Sequence, residues 1–251
     1  MTPSRPSPSV DVAAVGIPLP MSASTSPPRP PAPATVPVRV VLRPIGTPLP
    51  LGMLGQAVAS LSLSAVQLSW IPVTQSHVVA WSVLALTVPL QLLAAGFGFL
   101  ARDAVAGTGT ALLAGAWAAT AVTTVVTPPG STSPGLGVVL LGVSCVLLVP
   151  TSAGLHKVAA AAVLLMSSVR FSLTGLHELT AAVGWQRAAG WAGLVLALVS
   201  TYSALAFELE STHGRTVLPV GRSQGARAAE DRGLAQQAEG VQHEAGVRKV
   251  L

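Results

Sequence analysis

The sequence predicts an all-α, polytopic membrane protein: a bundle of six transmembrane helices. Of the 251 residues, 51% are apolar and only 9% are charged, far from the roughly 25% charge of soluble domains. Residues 44–101 and residues 104–156 contain no Asp, Glu, Lys or Arg. Since about 20 apolar residues cross a bilayer as a helix, each of these stretches is long enough for two spans.

Turn chemistry divides the apolar stretches. The predicted connections are WIPVTQSH (Trp70–His77), TPPGSTSPG (Thr127–Gly135) and the AVGWQR segment with its Arg187. Helices are favoured over strands because unpaired backbone groups are not tolerated in lipid. The six predicted spans are 50–70, 78–100, 109–127, 136–153, 158–179 and 188–208.

The two flanks differ from the span region in composition. Residues 1–44 are rich in proline and poor in large apolar groups, so we expect a disordered N-terminal arm. Residues 45–221 form the predicted transmembrane domain, and residues 222–251 form a polar tail. No apolar run precedes a cleavage site in the arm, so the first span is expected to act as the insertion signal.

The distribution of Lys and Arg along the chain predicts the orientation of the protein in the membrane. They cluster in the two flanks and in the connections that carry Arg102 and Lys157, whereas the other connections carry Arg187 alone. The positive-inside rule then places both termini in the cytoplasm, and we expect a location in the cell membrane. The basic residues are scattered, so we expect contact with anionic lipid and no nucleic-acid partner.

Signatures of catalysis are missing from the sequence. It has no phosphate-cradling glycine loop and no His/Glu pair at metal spacing, and HELT (His177–Thr180) lacks the second histidine of a zinc protease. We therefore expect no enzyme activity, no cofactor and no metal. The single cysteine, Cys145, is interpreted as a small buried hydrophobe. Composition leaves open a transporter or channel and, alternatively, an inert membrane scaffold.

Motifs at both ends of the span region are similar to one known family. The end of the span region resembles the last helix and tail of the acetate uptake transporter family. The matching residues are GWAG (Gly190–Gly193), Tyr202, and GRTVLPVG (Gly214–Gly221). TPLPLGM (Thr47–Met53) resembles that family's N-P-A-P-L-G-L motif, with Thr47 in place of Asn and Leu49 in place of Ala. The motif residues retained here are Pro48, Pro50, Leu51 and Gly52, and Gln91 and Trp117 also fall at family positions.

The resemblance implies a six-helix protomer with its own narrow pore. It also implies assembly into a hexamer and movement of acetate or similar small monocarboxylates together with protons. The motif itself looks like a helix entry, with Thr47 as N-cap and Pro48 in the first turn. The positive end of a helix can hold a carboxylate, although an ordinary helix start at the membrane interface is the alternative interpretation.

The sequence departs from the family at its hydrophobic constriction. Counting from the motifs places this constriction at Gln56, Leu113 and Ser167, which are smaller or more polar than the family's aromatic and leucine residues. We expect a wider and wetter gate that admits lactate or succinate. The alternatives are a drifted paralogue that acts as a non-transporting scaffold, or a channel for another small solute such as ammonia.

Arg170 is predicted to lie deep in the fifth span. Because a charge there costs about 2.5–3.5 kcal/mol, its side chain should face the bundle interior or the pore. One interpretation is a carboxylate attractor with His177 or Glu178 as a proton-handling partner; the other is a structural ion pair or hydrogen bonds to carbonyls.

The remaining polar and small residues of the spans keep two interpretations each. Gln91 either faces the pore or clasps a neighbouring helix, and Ser200, Thr201 and Tyr202 either line the path or bond back to the preceding turn. Gly190 and Gly193 should permit close helix contact. The segment HGRTVLPVG is expected to pack under the bundle, with Arg215 anchoring the last span.

Overall fold

Six membrane spans make up the bundle. The computed structural model describes residues 46–213 and 216–221. The six spans are each long and apolar enough to cross a bilayer. The predicted arm (1–44), the predicted tail (222–251), Gly214 and Arg215 lie outside the described residues. The α-helices are α1 (Leu49–Gln67), α2 (Ser76–Ser82), α3 (Val88–Leu100), α4 (Ala104–Val126), α5 (Pro134–Ala153), α6 (Val158–Thr180) and α7 (Val183–His213).

The second span, Val73–Leu100, is composite. It opens with a 3₁₀ turn and joins α2 to α3 through a π-helical turn at Val83–Thr87. Pro89 follows this turn, and a proline has no N–H for the ordinary helical bond and crowds the carbonyl four residues earlier. The wider turn accommodates that crowding. It also allows Val83, Thr87 and Gln91, spaced four residues apart, all to be buried.

Three spans start five residues earlier than the sequence predicts: the second at Val73, the third at Ala104 and the sixth at Val183. The third begins at Ala104 rather than 109, because the Asp103 carboxylate accepts a hydrogen bond from the Ala106 N–H at 3.1 Å and caps the helix. The sixth begins at Val183 rather than 188, after a connection of only two residues in which Ala181 has a left-handed φ of 55°. Arg187 therefore lies on α7 and not in a connection.

The start of α1 also differs from the prediction. Pro48, not Thr47, occupies the N-cap position, and no side chain caps the helix there. Thr47 is exposed and lies one residue too early to reach the first free N–H groups. Pro50 is tolerated in the first turn because its missing N–H would have had no helical partner.

The helices pack in neighbouring pairs, with α5 against α6, α1 against α7, and α3 against α4. Glycines allow the closest approaches. A Cβ on Gly52 would lie 2.7 Å from the Thr110 Cγ2 of α4, and one on Gly190 would lie 2.7 Å from the Leu68 Cγ beside α1. The close contacts predicted for the glycines of α7 are thus present.

The chain enters α1 and leaves α7 on the same side of the bundle. We call this side the terminal face; it also carries the 101–103 and 154–157 connections. The opposite face carries the connections 68–72, 127–133 and 181–182. Alternation of the six spans requires this arrangement.

Apolar side chains cover the outside of the bundle. The tryptophans outside the core are exposed, as expected of interface anchors, whereas Trp117 is fully buried. Cys145 is exposed on α5, so its interpretation as a buried hydrophobe is wrong. Its neighbour Ser144 faces the interior and accepts a hydrogen bond from Ser168 through its carbonyl, and one residue further along a helix points about 100° away.

The segment 216–221 packs on the terminal face, as expected. The carbonyl of Val220 accepts the Ala159 N–H at 3.1 Å, which satisfies a free donor in the first turn of α6. The Tyr202 hydroxyl donates to the Pro219 carbonyl at 3.0 Å. Tyr202 therefore holds this segment from the outer side of α7 and does not line an interior path, which corrects the interpretation of its hydroxyl.

Candidate permeation path

Three helices turn polar residues toward one interior axis. On each helix the residues follow one another at intervals of three, four or seven, which places them on a single helical face. All are buried except Thr124, which is half-buried. The residues are Gln56, Ser60, Ser64 and Gln67 on α1; Thr110, Trp117, Thr120 and Thr124 on α4; and Ser167, Arg170 and Thr174 on α6.

Four side chains close this axis on the terminal side of its centre. The Gln56 Oε1 accepts hydrogen bonds from the Trp117 Nε1 at 2.7 Å and from the Gln91 Nε2 at 2.8 Å. The Gln56 Nε2 donates to the Ser167 Oγ at 3.1 Å. An indole N–H can only donate, so it fixes which end of the Gln56 amide faces Trp117. We call Gln56, Gln91, Trp117 and Ser167 the glutamine clasp.

Gln91 contacts a neighbouring helix at the interior axis through its bond to Gln56, so it fits both of its interpretations. The Gln91 Oε1 is buried without a hydrogen-bond partner among the described residues. Gln56 and Ser167 are polar and adjacent, and both are fully buried, so the interior axis is closed at this level. Leu113 is also buried and lies on the terminal side of the clasp.

A cavity approaches the clasp from each face. The cavity on the terminal side holds only about 20 Å³ and ends at Gln56 and Leu113, with Gly52 in its wall. On the opposite face, a vestibule of about 580 Å³ is lined by Gln67 and Thr174 among other polar residues. Gln56 and Gln67 are eleven residues apart on α1, so about 16 Å of helix separates the two levels.

Arg170 lies between the clasp and the vestibule and is fully buried. Its Nη2 donates to the Gln67 Oε1 at 3.3 Å, and the Gln67 Nε2 in turn donates to the Thr174 Oγ1 at 3.4 Å. Its guanidinium carbon is 5.1 Å from the centre of a Trp117 ring, within the range of a cation–π interaction. The Arg170 Nε has no hydrogen-bond partner among the described residues.

His177 and Glu178 line the vestibule, but neither pairs with Arg170. The Glu178 Oε2 accepts the backbone N–H of Ser133 at 2.7 Å, and the His177 Nδ1 is 3.2 Å from the Ala182 carbonyl oxygen. The structural ion pair considered for Arg170 is thus not formed with this glutamate. Arg170 is instead bonded to Gln67. The sequence analysis did not identify Gln67, although it continues the polar face of α1 that contains Gln56.

The other predicted path residues divide between the interior of the bundle and its surface. Ser200 is buried on α7, and its hydroxyl has no partner among the residues described. Thr201 bonds back to the Ala197 carbonyl at 2.8 Å, as its alternative interpretation expects. Of the entry motif, Pro48, Pro50 and Gly52 are buried, Leu51 is half-buried and Thr47 is exposed.

An ion pair lies beside the cavity on the terminal side. The Lys157 Nζ donates to the Asp103 Oδ2 at 2.6 Å and links the connections before α6 and α4. Partial burial alone would raise the pKa of the Asp103 carboxyl, but the hydrogen bonds from Lys157 and from the Ala106 N–H outweigh it and hold that pKa below its ordinary value. The bonded carboxylate therefore stabilises this corner.

Six spans around an interior polar axis define a multi-pass membrane protein with an all-α bundle. No protein-family model and no curated protein matches the chain. Among solved structures, its fold is similar to that of the bacterial acetate channel SatP, with a TM-score of 0.63 and 20% sequence identity. The likeness covers 70% of this chain and 99% of the other. At this identity it establishes a shared six-helix fold.

Proposed function

We propose that this protein is a membrane channel or transporter for acetate and related small monocarboxylates. The observation that carries the proposal is the polar axis inside a bundle that shares its fold with an acetate channel. Buried polar and ionisable side chains are costly within a membrane, and they commonly mark the pathway of a solute or ion. Here they follow one another from the terminal-side cavity to the vestibule on the opposite face.

The glutamine clasp is the proposed gate. Gln56, Leu113 and Ser167 occupy the level where the terminal-side cavity ends, and opening requires the Gln56 side chain to leave its partners. An amide can then hydrogen-bond to a passing carboxylate, whereas an apolar plug cannot. This gate should admit lactate as well as acetate.

Proton coupling is part of the proposal and is assigned to the vestibule. His177 and Glu178 are its titratable lining residues in the described part of the chain. The vestibule faces the cell exterior if the positive-inside rule places the terminal face, with Arg102 and Lys157, in the cytoplasm. The exposed apolar flanks then face lipid and neighbouring copies in a homo-oligomer, with the hexamer as the first state to examine.

The test is uptake of labelled acetate and lactate by proteoliposomes that contain the full chain, with and without an imposed pH gradient. We expect saturable uptake of both acids, and faster uptake when the vestibule side is acidic. Empty liposomes and liposomes with heat-denatured protein are the controls. A non-transporting scaffold would show no flux under either condition, and uptake of acetate with rejection of lactate would contradict the proposed gate.

A further inference from the structure

The charge of Arg170 has no counter-charge in the part of the chain that the structure describes. No carboxylate there lies within 4 Å of its nitrogens. Arg170 is twelve residues from the start of α6, about 18 Å along the helix, and so lies near the middle of the membrane. A guanidinium at this depth favours an anion beside it, because neutral partners compensate only part of its lost hydration.

Gln67 occupies the position that such an anion would take. Its amide oxygen faces the Arg170 Nη2 as a carboxylate oxygen would, but the distance of 3.3 Å is long for a hydrogen bond from a guanidinium. Its second bond, to Thr174, is longer still at 3.4 Å. Both bonds are weak by geometry, so the Gln67 side chain can be displaced into the vestibule that it lines.

The volume that Gln67 would vacate limits the size of the anion. The end of a glutamine side chain, a CH₂ group bearing a carboxamide, has the size and shape of acetate. The wall behind the guanidinium is the backbone of α7, where a Cβ on Gly193 would lie 2.6 Å from the Arg170 Nε. Trp117 covers one face of the guanidinium and directs a ligand to its edge.

We propose that Arg170 is a carboxylate-binding site in which an ionised two- or three-carbon acid displaces the Gln67 amide from the guanidinium. The inference rests on the proposed function for the identity of the solute, and it assigns a residue and an ionisation state that the function alone does not specify. A charge-assisted bond to a carboxylate is about twice as strong as the neutral bond that it replaces. Arg170 thus selects the anion over the uncharged acid.

The first experiment measures binding and needs no flux. Sodium acetate, the uncharged isostere acetamide and sodium chloride are titrated into the purified full chain in detergent, and saturable protection against thermal unfolding is recorded. We expect acetate to bind at least about tenfold more tightly than acetamide or chloride. Equal protection by acetate and acetamide, or competition by chloride at the acetate concentration, would overturn the assignment.

Two substitutions locate the site on Arg170. Arg170→Gln should abolish the preference, so that acetate and acetamide bind with about equal affinity. Arg187→Gln, on the exposed part of α7, is the matched control. Gln67→Glu retains the arginine and nearly the same volume but supplies a permanent carboxylate. It should raise the unfolding temperature and weaken acetate binding by at least about tenfold.

Gln67→Glu keeps the inference testable even if Arg170→Gln does not fold. Acetate binding that is unchanged in Gln67→Glu would refute the site. Binding that depends on Arg170 in a protein without flux would refute the proposed function and retain the site. Flux that is unaffected by either substitution would retain the function and refute the site.

Discussion

Replacing Gln56 by leucine tests the glutamine clasp. The substitution shortens the side chain by one atom and removes three interhelical hydrogen bonds, with partners at 2.7, 2.8 and 3.1 Å. At about 0.6 kcal/mol for each such bond in a membrane protein, the loss amounts to about 2 kcal/mol. The Trp117 indole N–H, fully buried and able only to donate, is then left without an acceptor, and the burial of leucine partly offsets this cost.

The assay is thermal unfolding in detergent, combined with acetate uptake by proteoliposomes. A loss of about 2 kcal/mol corresponds to a decrease of about 4–8 °C in melting temperature for a chain of this size. Ser167→Ala removes one of the bonds and should lower the temperature by about 2 °C or less. Gln75→Leu, on an exposed glutamine outside the bundle core, is the matched control and should change neither readout.

Uptake should fall as well, because leucine beside Leu113 makes the gate apolar and removes an amide that can bind the passing anion. A lost hydrogen bond to a charged solute corresponds to a decrease of about tenfold or more. An unchanged melting temperature in Gln56→Leu would refute the clasp as a structural element. Faster passage of acetate would refute it as the proposed gate.

Three further predictions concern the surroundings of the path. Gly193→Ala should lower the melting temperature, because its Cβ would clash with the Ser64 Oγ and approach the Arg170 Nε to 2.6 Å. Gly96→Ala, with no atom within 4 Å of its Cβ, is the control and should be neutral or slightly stabilising. The lowered pKa of Asp103 stabilises the fold above the unfolded pKa near 3.8, and this contribution is lost as pH falls through the folded value, so Asp103→Asn should lower the melting temperature by more at pH 7 than at pH 3. Tyr202→Phe should leave uptake unchanged and speed proteolysis within 216–221, and slower uptake would contradict its placement on the outer side of α7.

Hydrophobicity and charge predict the spans because the bilayer itself constrains length and polarity. The errors in their ends have a common cause. The sequence analysis places residues 104–108 and Arg187 in connections because they lie beside or carry a charge, yet a charged side chain at the end of a helix can reach water and can also cap it. Residues 104–108 form the first turn of α4 after the cap at Asp103, and Arg187 lies near the start of α7.

The depth of Arg170 was predictable from its place in an apolar run, but its partner was not. Gln67 lies 103 residues away in the chain, and contact between the two depends on how α1 packs against α6 and α7. Helical periodicity specifies which face of each helix is polar, and it does not specify the rotation of one helix against another. Cys145 shows the same limit, because a uniformly apolar helix gives no indication of which face is outward.

The π-helical turn at Val83–Thr87 sets the relative rotation of the two halves of the second span. One surplus residue in that turn offsets the helical phase of α3 from that of α2 by about 100°. Deleting a single residue there would remove this offset and swing Gln91 away from Gln56. The contacts of α2 would survive, so the span behaves as two segments whose alignment depends on one local insertion.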